Sequence, residues 1–185
     1  MNPVKIPMTL RHLLAIMLLP FVVVVMIPRW LLRAWSVSDE RWVDGTLAAA
    51  FAHIAGIVVF ICGFALFAWC VSLFASVGQG TLAPWDPTRR LVAVGPYRYM
   101  RNPMISGVVA MLAGEGISLG SRVIAIWVAT FIAINQVYFM FFEEPGLERR
   151  FGAAYREYKS AVPRWVPRET PWKLARKRRS RTDFD

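Results

Sequence analysis

The sequence predicts an all-α integral membrane protein with about four transmembrane helices. Three observations carry that expectation. The chain of 185 residues is 56% hydrophobic, with a mean hydropathy of +0.42. Its apolar residues are gathered into long runs instead of being spread as in a soluble core, which reads as a single membrane domain. The net charge of +10 is placed unevenly: from Pro145 onward, 12 Lys/Arg stand against 5 Asp/Glu. Such a bias is a topology signal before it is a nucleic-acid site.

The first run covers Leu13 to Ile27, is closed by Pro28-Arg29-Trp30 and is extended by Leu31-Leu32. Lys5 and Arg11 precede it, but no small-residue cleavage site follows. It is therefore read as an uncleaved first membrane helix, kinked at Pro20. Residues 36–45 form a short loop in which Asp39, Glu40, Arg41 and Asp44 balance. The second run, Thr46 to Phe74, is long enough to span with tilt. His53 lies near its start with no cluster of partners, and is read as an interfacial histidine. Cys62 and Cys70, the two cysteines, share that run and suggest neither a disulfide framework nor a metal site.

Ala75 to Asn102 is a loop of turn residues and aromatics, long enough to expect a function. The third run is Pro103 to Leu119, and Pro103 suits the first turn of a helix. Gly120-Ser121-Arg122 turns the chain into a fourth run, Val123 to Phe142. Residues 1–168 are expected to form one domain, and 169–185 a flexible, basic cytoplasmic tail.

Basic residues before the first run, between the second and third, and after the fourth fall on one side of a four-crossing chain. Both termini and the polar clusters are then cytoplasmic. The compact chain, with no organelle signal, is read as a bacterial inner-membrane protein. The run Lys173 to Arg181 is expected to contact anionic headgroups, not nucleic acid, since no nucleic-acid-binding module accompanies it.

Two polar clusters stand out. One is Gly95-Pro96-Tyr97-Arg98-Tyr99-Met100-Arg101-Asn102-Pro103. The other is Glu143-Glu144-Pro145, with Phe151-Gly152 and Tyr155-Arg156-Glu157-Tyr158 behind it. Roughly 40 mostly apolar residues separate them, about two crossings of a bilayer. A hairpin returns both clusters to one surface, where arginines, glutamates and tyrosines converge around a space suited to a small zwitterion. Adjacent Glu143 and Glu144 point about 100° apart on a helix, so one can face the protein and the other the surface. Ordinary helix ends and positive-inside flanks produce the same residues, and some pairing across the hairpin is expected with or without a ligand. Glu115, an apparent intramembrane acid, is expected to pair with Arg122.

The set Gly95 to Pro103, Glu143-Glu144-Pro145-Gly146-Leu147, Arg150-Phe151-Gly152, Tyr155, Tyr158 and Val162-Pro163 resembles the isoprenylcysteine carboxyl methyltransferase family and the related membrane phospholipid N-methyltransferases. The resemblance covers about residues 78–168. It implies an S-adenosylmethionine cofactor held without a Rossmann domain. The GxG pieces Gly78-Gln79-Gly80 and Gly114-Glu115-Gly116 have no strand–turn–helix context, in keeping with that. It also implies a cytoplasmic cofactor pocket built from the helix 2–3 loop, the ends of the helix 3–4 hairpin and the C-terminal tail. Arg101 and Glu144 would be catalytic. Gly95, Tyr97, Arg98, Tyr99, Asn102, Pro103, Glu143, Tyr155 and Tyr158 would bind the cofactor, and no metal is implied.

An arginine can hold a carboxylate bidentately, a glutamate an ammonium or ribose hydroxyls, and a tyrosine face adenine or a sulfonium. A lipophilic acceptor would approach from the bilayer. The prenylcysteine pattern Arg-His-Pro-x-Tyr stands here as Arg101-Asn102-Pro103-Met104-Ile105, closer to the phospholipid branch. The tail, with Phe151-Gly152, Tyr155, Tyr158 and Val162-Pro163, is closer to the carboxyl branch and favours carboxyl O-methylation. A carboxylate acceptor needs positioning and no base. An amine acceptor, the alternative, needs Glu143 or Glu144 to take a proton. A membrane reductase using NADPH and a non-catalytic scaffold are the competing readings.

Overall fold

The computed structural model describes residues 18–35, 46–77 and 91–173. The expectations for the start of the first helix, the 36–45 loop, the 78–90 stretch and the basic run beyond Lys173 lie outside these residues. All regular structure among the described residues is helical. A π-helical turn at Val22–Met26 leads into α1 (Ile27–Ala34). Then come α2 (Leu47–Val77), a 3-10 turn (Gly95–Arg98), α3 (Pro103–Leu119) and α4 (Arg122–Tyr138). A second π-helical turn, Phe139–Glu143, leads into α5 (Glu144–Phe151) and α6 (Ala153–Ala161).

Two stretches are long and apolar enough to cross a membrane, Leu47–Phe74 and Arg122–Phe151. The third expected crossing, α3, is apolar but has 17 residues, about 26 Å of helix. On α2 the side chains of Phe51, Ile54, Val58, Ile61 and Phe64 are exposed. A row of large apolar groups pointing outward is costly in water and costs nothing in lipid.

Glycines set the packing of α2 on α3. A Cβ on Gly56 would lie 2.5 Å from the Gly114 carbonyl oxygen, and one on Gly63 would lie 2.7 Å from that of Gly107. The pairing runs 56 with 114 and 63 with 107, so the helices are antiparallel and their backbones touch. Close backbone approach through small residues is how helices associate where lipid gives no hydrophobic drive. The adjoining core is Val23, Val24, Phe67, Val108, Met111 and Leu112, with Trp127 and Phe131 packed on it. Thr46 caps α2, its Oγ1 accepting from the Ala49 N–H at 3.1 Å. Between α3 and α4, Gly120 turns the chain at φ 65° and Ser121 Oγ accepts from the Ile124 N–H.

Two helix ends lie further on than the apolar runs suggest. The first helix passes Pro28 and Leu32 to reach Ala34, and the fourth passes Phe142 and Pro145 to reach Phe151. Both cases share one device. A π-helical turn stands just before the proline, and its last hydrogen bonds reach five residues back: Ile27 N–H to Val22 O, and Glu144 N–H to Phe139 O. The widened turn makes room for a ring that would clash in a regular helix. In the first helix, continuing that register would pair Pro28 with the Val23 carbonyl, but Pro28 has no N–H. Trp127 Nε1 donates to that carbonyl instead, at 3.2 Å.

Candidate active site

The site lies where the start of α3, the α4–α5 junction and the segment after α6 come together. Gly95 opens the 3-10 turn at φ 55°, a left-handed conformation that glycine adopts without strain, and a Cβ there would come within 2.8 Å of Leu73 Cδ1. The turn is then zipped to the C-terminal segment by main-chain bonds. Arg101 N–H donates to Pro163 O, Arg168 N–H to Tyr99 O, and Trp172 N–H to Arg98 O, all at 2.9–3.0 Å. The Arg98 side chain adds a bond from Nε to Trp172 O at 2.8 Å. Tyr158 OH donates to Tyr97 O at 2.7 Å from α6. Residues 61 to 74 positions apart in sequence thus form one layer.

Glu144 is the centre of the charge arrangement. Its side chain is only 6% exposed. Arg101 NH1 donates to Oε1 at 2.7 Å, and Arg164 Nε and NH2 reach the same oxygen at 2.8 Å. Lys159 Nζ holds Oε2 at 3.2 Å and also lies 3.8 Å from Glu148. Three cations therefore surround one carboxylate, leaving local positive charge. Arg101 Nε is buried with no hydrogen-bond partner among the described residues, and the guanidinium lies beside the Tyr155 hydroxyl. A buried charged donor left unmade is expensive.

The tyrosines form the wall. Tyr97, Tyr155 and Tyr158 are buried, and Tyr97 packs edge-on against Phe74 at 5.4 Å between ring centroids. Tyr158 meets Trp172 edge-on at 5.2 Å. Burial lifts the Tyr155 phenol to about 12, with the Glu144 charge acting in the same direction and Arg101 opposing. Burial raises Tyr97 and Tyr158 too. All three are neutral at ordinary pH, able to donate a hydrogen bond or present a π face but not to act as bases.

The expected residues are thus brought to one end of the molecule, with different exposures. Arg101, Glu144, Glu143, Tyr155, Tyr158, Tyr97 and Arg98 converge. Glu143 is partly buried and near enough to Tyr97 and Tyr155 to act on their phenols. Tyr99 is partly exposed. Pro103 is buried in the first turn of α3, and Asn102 precedes it without a side-chain cap; its carbonyl accepts from Ser106. Lys159, Arg164 and Trp172 were missed by sequence reasoning. Arg164 directly follows Val162-Pro163 and was the signal available. Beside the cluster an open cavity of about 610 Å3 is lined by Phe141, Pro145, Glu148, Arg149 and Arg156. Its lining residue Glu148 lies 3.8 Å from Lys159 of the cluster.

Fold and site together define a helical membrane protein with a cation-rich, carboxylate-anchored site where apolar helices end. A model of the phospholipid methyltransferase family matches residues 51–154, more than half of the sequence, and the chain belongs to that family of membrane methyltransferases. The match runs from α2 through Gly95–Pro103 and Glu143-Glu144-Pro145 to the start of α6, and ends before Tyr155. No curated protein and no solved structure matches the chain.

Proposed function

We propose that the protein transfers a methyl group from S-adenosylmethionine to a lipophilic acceptor at the membrane surface. The observation that carries this reading is the Arg101–Arg164–Lys159 set around Glu144, with Arg101 Nε lacking an acceptor among the described residues. Those residues fit an amino-acid-bearing cofactor. Arg101 and Arg164 would hold its carboxylate, and Glu143 its ammonium. Tyr155, Tyr158 or the more exposed Tyr99 would offer an aromatic face. Bound S-adenosylmethionine supplies an electrophilic methyl group on a sulfonium.

In this reading Glu144 fixes the guanidinium of Arg101 in place, and the buried tyrosines and Trp172 keep water from the cluster. The acceptor headgroup would reach the site through the cavity at Phe141 and Pro145, its tail staying in lipid beside exposed Met140, Phe141 and Phe142. Four crossings with both termini cytoplasmic, in a bacterial inner membrane, would place that surface inside the cell. The surplus positive charge and the tail motif favour an acceptor carboxylate, which needs no base. Glu143, partly buried and without an ion pair among the described residues, supports an amine acceptor as the second reading, since it could take the proton.

The test is transfer of labelled methyl groups from S-adenosylmethionine to a lipid extract by the reconstituted protein. Label released by mild alkali identifies a methyl ester, and alkali-stable label a methylated amine. No transfer, with Arg101→Ala indistinguishable from the unsubstituted chain in cofactor binding, would overturn the reading.

A further inference from the structure

Two main-chain bonds bracket residues 164–167: Arg101 N–H to Pro163 O on one side, and Arg168 N–H to Tyr99 O on the other. Arg164 lies just inside the first. Its side chain is 19% exposed, and Nε and NH2 both reach Glu144 Oε1 at 2.8 Å. The next residue reaches back along α4. Trp165 Nε1 donates to Gln136 Oε1 at 2.8 Å, and its ring lies against Phe139 at 5.6 Å between centroids. Gln136 stands eight residues before Glu144 on the same apolar span, about two helical turns away. Two adjacent residues of the C-terminal segment thus grip that span at two levels, its charged end and its apolar flank.

Gln136 sits among exposed apolar side chains, Ile134, Val137 and Met140, where a carboxamide is costly unless it is bonded. Met140 Sδ accepts from Gln136 Nε2 at 3.3 Å, and Trp165 supplies the donor for the oxygen. Phe139, against which the indole lies, also carries the carbonyl that accepts from the Glu144 N–H in the π-helical turn. One clip therefore ties the segment that carries Arg164 to the turn that carries Glu144. Among the described residues, 165–167 make no other hydrogen bond. We propose that Gln136 and Trp165 are positioning residues of the cofactor site, holding Arg164 on Glu144 so that its guanidinium is in place before a ligand arrives. The inference rests on the reading of Arg164 as a holder of the cofactor carboxylate. A side chain already fixed loses less freedom on binding, so the clip raises affinity by pre-organisation. Neither residue is a cofactor contact in this assignment; both act through Arg164.

The test uses the full-length protein in detergent with Gln136→Leu, which removes the acceptor, and Trp165→Phe, which removes the donor and keeps a ring. Calorimetric binding of S-adenosylhomocysteine weakens about fivefold in each, the loss expected for one hydrogen bond. In an Arg164→Ala background neither substitution weakens binding further, because both act through Arg164. A merely structural role lowers affinity by the same factor in either background, and that additivity would overturn the proposal. So would an affinity that neither substitution changes. Limited trypsin digestion read by mass spectrometry needs no ligand, and separates failure of the clip from failure of the cofactor reading. Gln136→Leu leaves the C-terminal segment unaltered and speeds cleavage after Arg164 about fivefold, in step with the easier local opening, while cleavage after Arg149 and Arg156 stays the same. Cleavage after Arg164 that does not change, or that rises equally at all of these sites, overturns the clip. Faster cleavage at Arg164 alone, in a protein that binds no S-adenosylhomocysteine, supports the clip and overturns the methyltransferase reading instead.

Discussion

Glu144 shows how much one side chain can organise. A single buried carboxylate takes hydrogen bonds from Arg101 and Arg164 and an ion pair from Lys159. Glu144→Gln leaves three cations facing a neutral amide. Breaking a buried pair from one side costs about 3 kcal/mol or more. Thermal unfolding of the purified variant therefore falls by several degrees, and a midpoint equal to the unsubstituted chain would contradict the arrangement. Arg101→Ala behaves differently, because Arg164 and Lys159 stay on the carboxylate. The fold survives, and the loss appears in ligand binding. Arg101 and Glu144 could be read from the sequence, because opposite charges stand at the two ends of one apolar hairpin. Arg164 and Lys159 could not, because a tail rich in Lys and Arg gives no hint which of them folds back. That choice is made by the main-chain bonds of Arg101, Arg168 and Trp172, which depend on a contact between distant segments.

The helices make sharper claims. Gly56→Val would drive a methyl-bearing side chain into the backbone of α3, and overpacking at rigid backbone costs about 3 kcal/mol. Gly146→Ala, in α5, meets nothing within 4 Å and should stabilise the helix by up to about 1 kcal/mol. Chemical denaturation of the two variants side by side checks the contrast; equal effects would contradict the α2–α3 crossing. Trp127→Phe removes the donor to the Val23 carbonyl and should cost about 1 kcal/mol by the same measurement. The apolar runs were legible as helices because their composition allows little else in lipid. Their ends were not, because hydropathy falls at Pro28 and after Phe142 while the π-helical turns that carry the helices past Pro28 and Pro145 have no sequence signature of their own. The matched seven-residue spacing of Gly56–Gly63 and Gly107–Gly114 was present in the sequence, but its meaning appears only once the two helices are laid antiparallel.

For the whole molecule, the structure is a helical bundle with the Glu144 charge cluster at one end and a cavity at the Gly56–Gly114 crossing toward the other. A four-crossing topology places Glu157 on the cytoplasmic side and Arg122 on the far side. Glu157→Cys in sealed vesicles is then labelled by an impermeant thiol reagent from the cytoplasmic face alone and Arg122→Cys from the opposite face, and labelling of both from one face would contradict it. The fold class was legible from hydropathy and charge bias, and the family from the ordered polar motifs. The acceptor was not, because carboxylate and amine substrates make the same demands on the residues that hold the cofactor. The central claim is that the Arg101–Glu144 cluster binds S-adenosylmethionine. The most direct test is calorimetric titration of the detergent-solubilised protein with S-adenosylhomocysteine, alongside Arg101→Ala and Arg164→Ala variants shown to be folded. The account predicts saturable binding by the unsubstituted protein and its loss in Arg101→Ala, with Arg164→Ala weakened. Absence of binding by the folded protein, or binding unchanged in both variants, would contradict it.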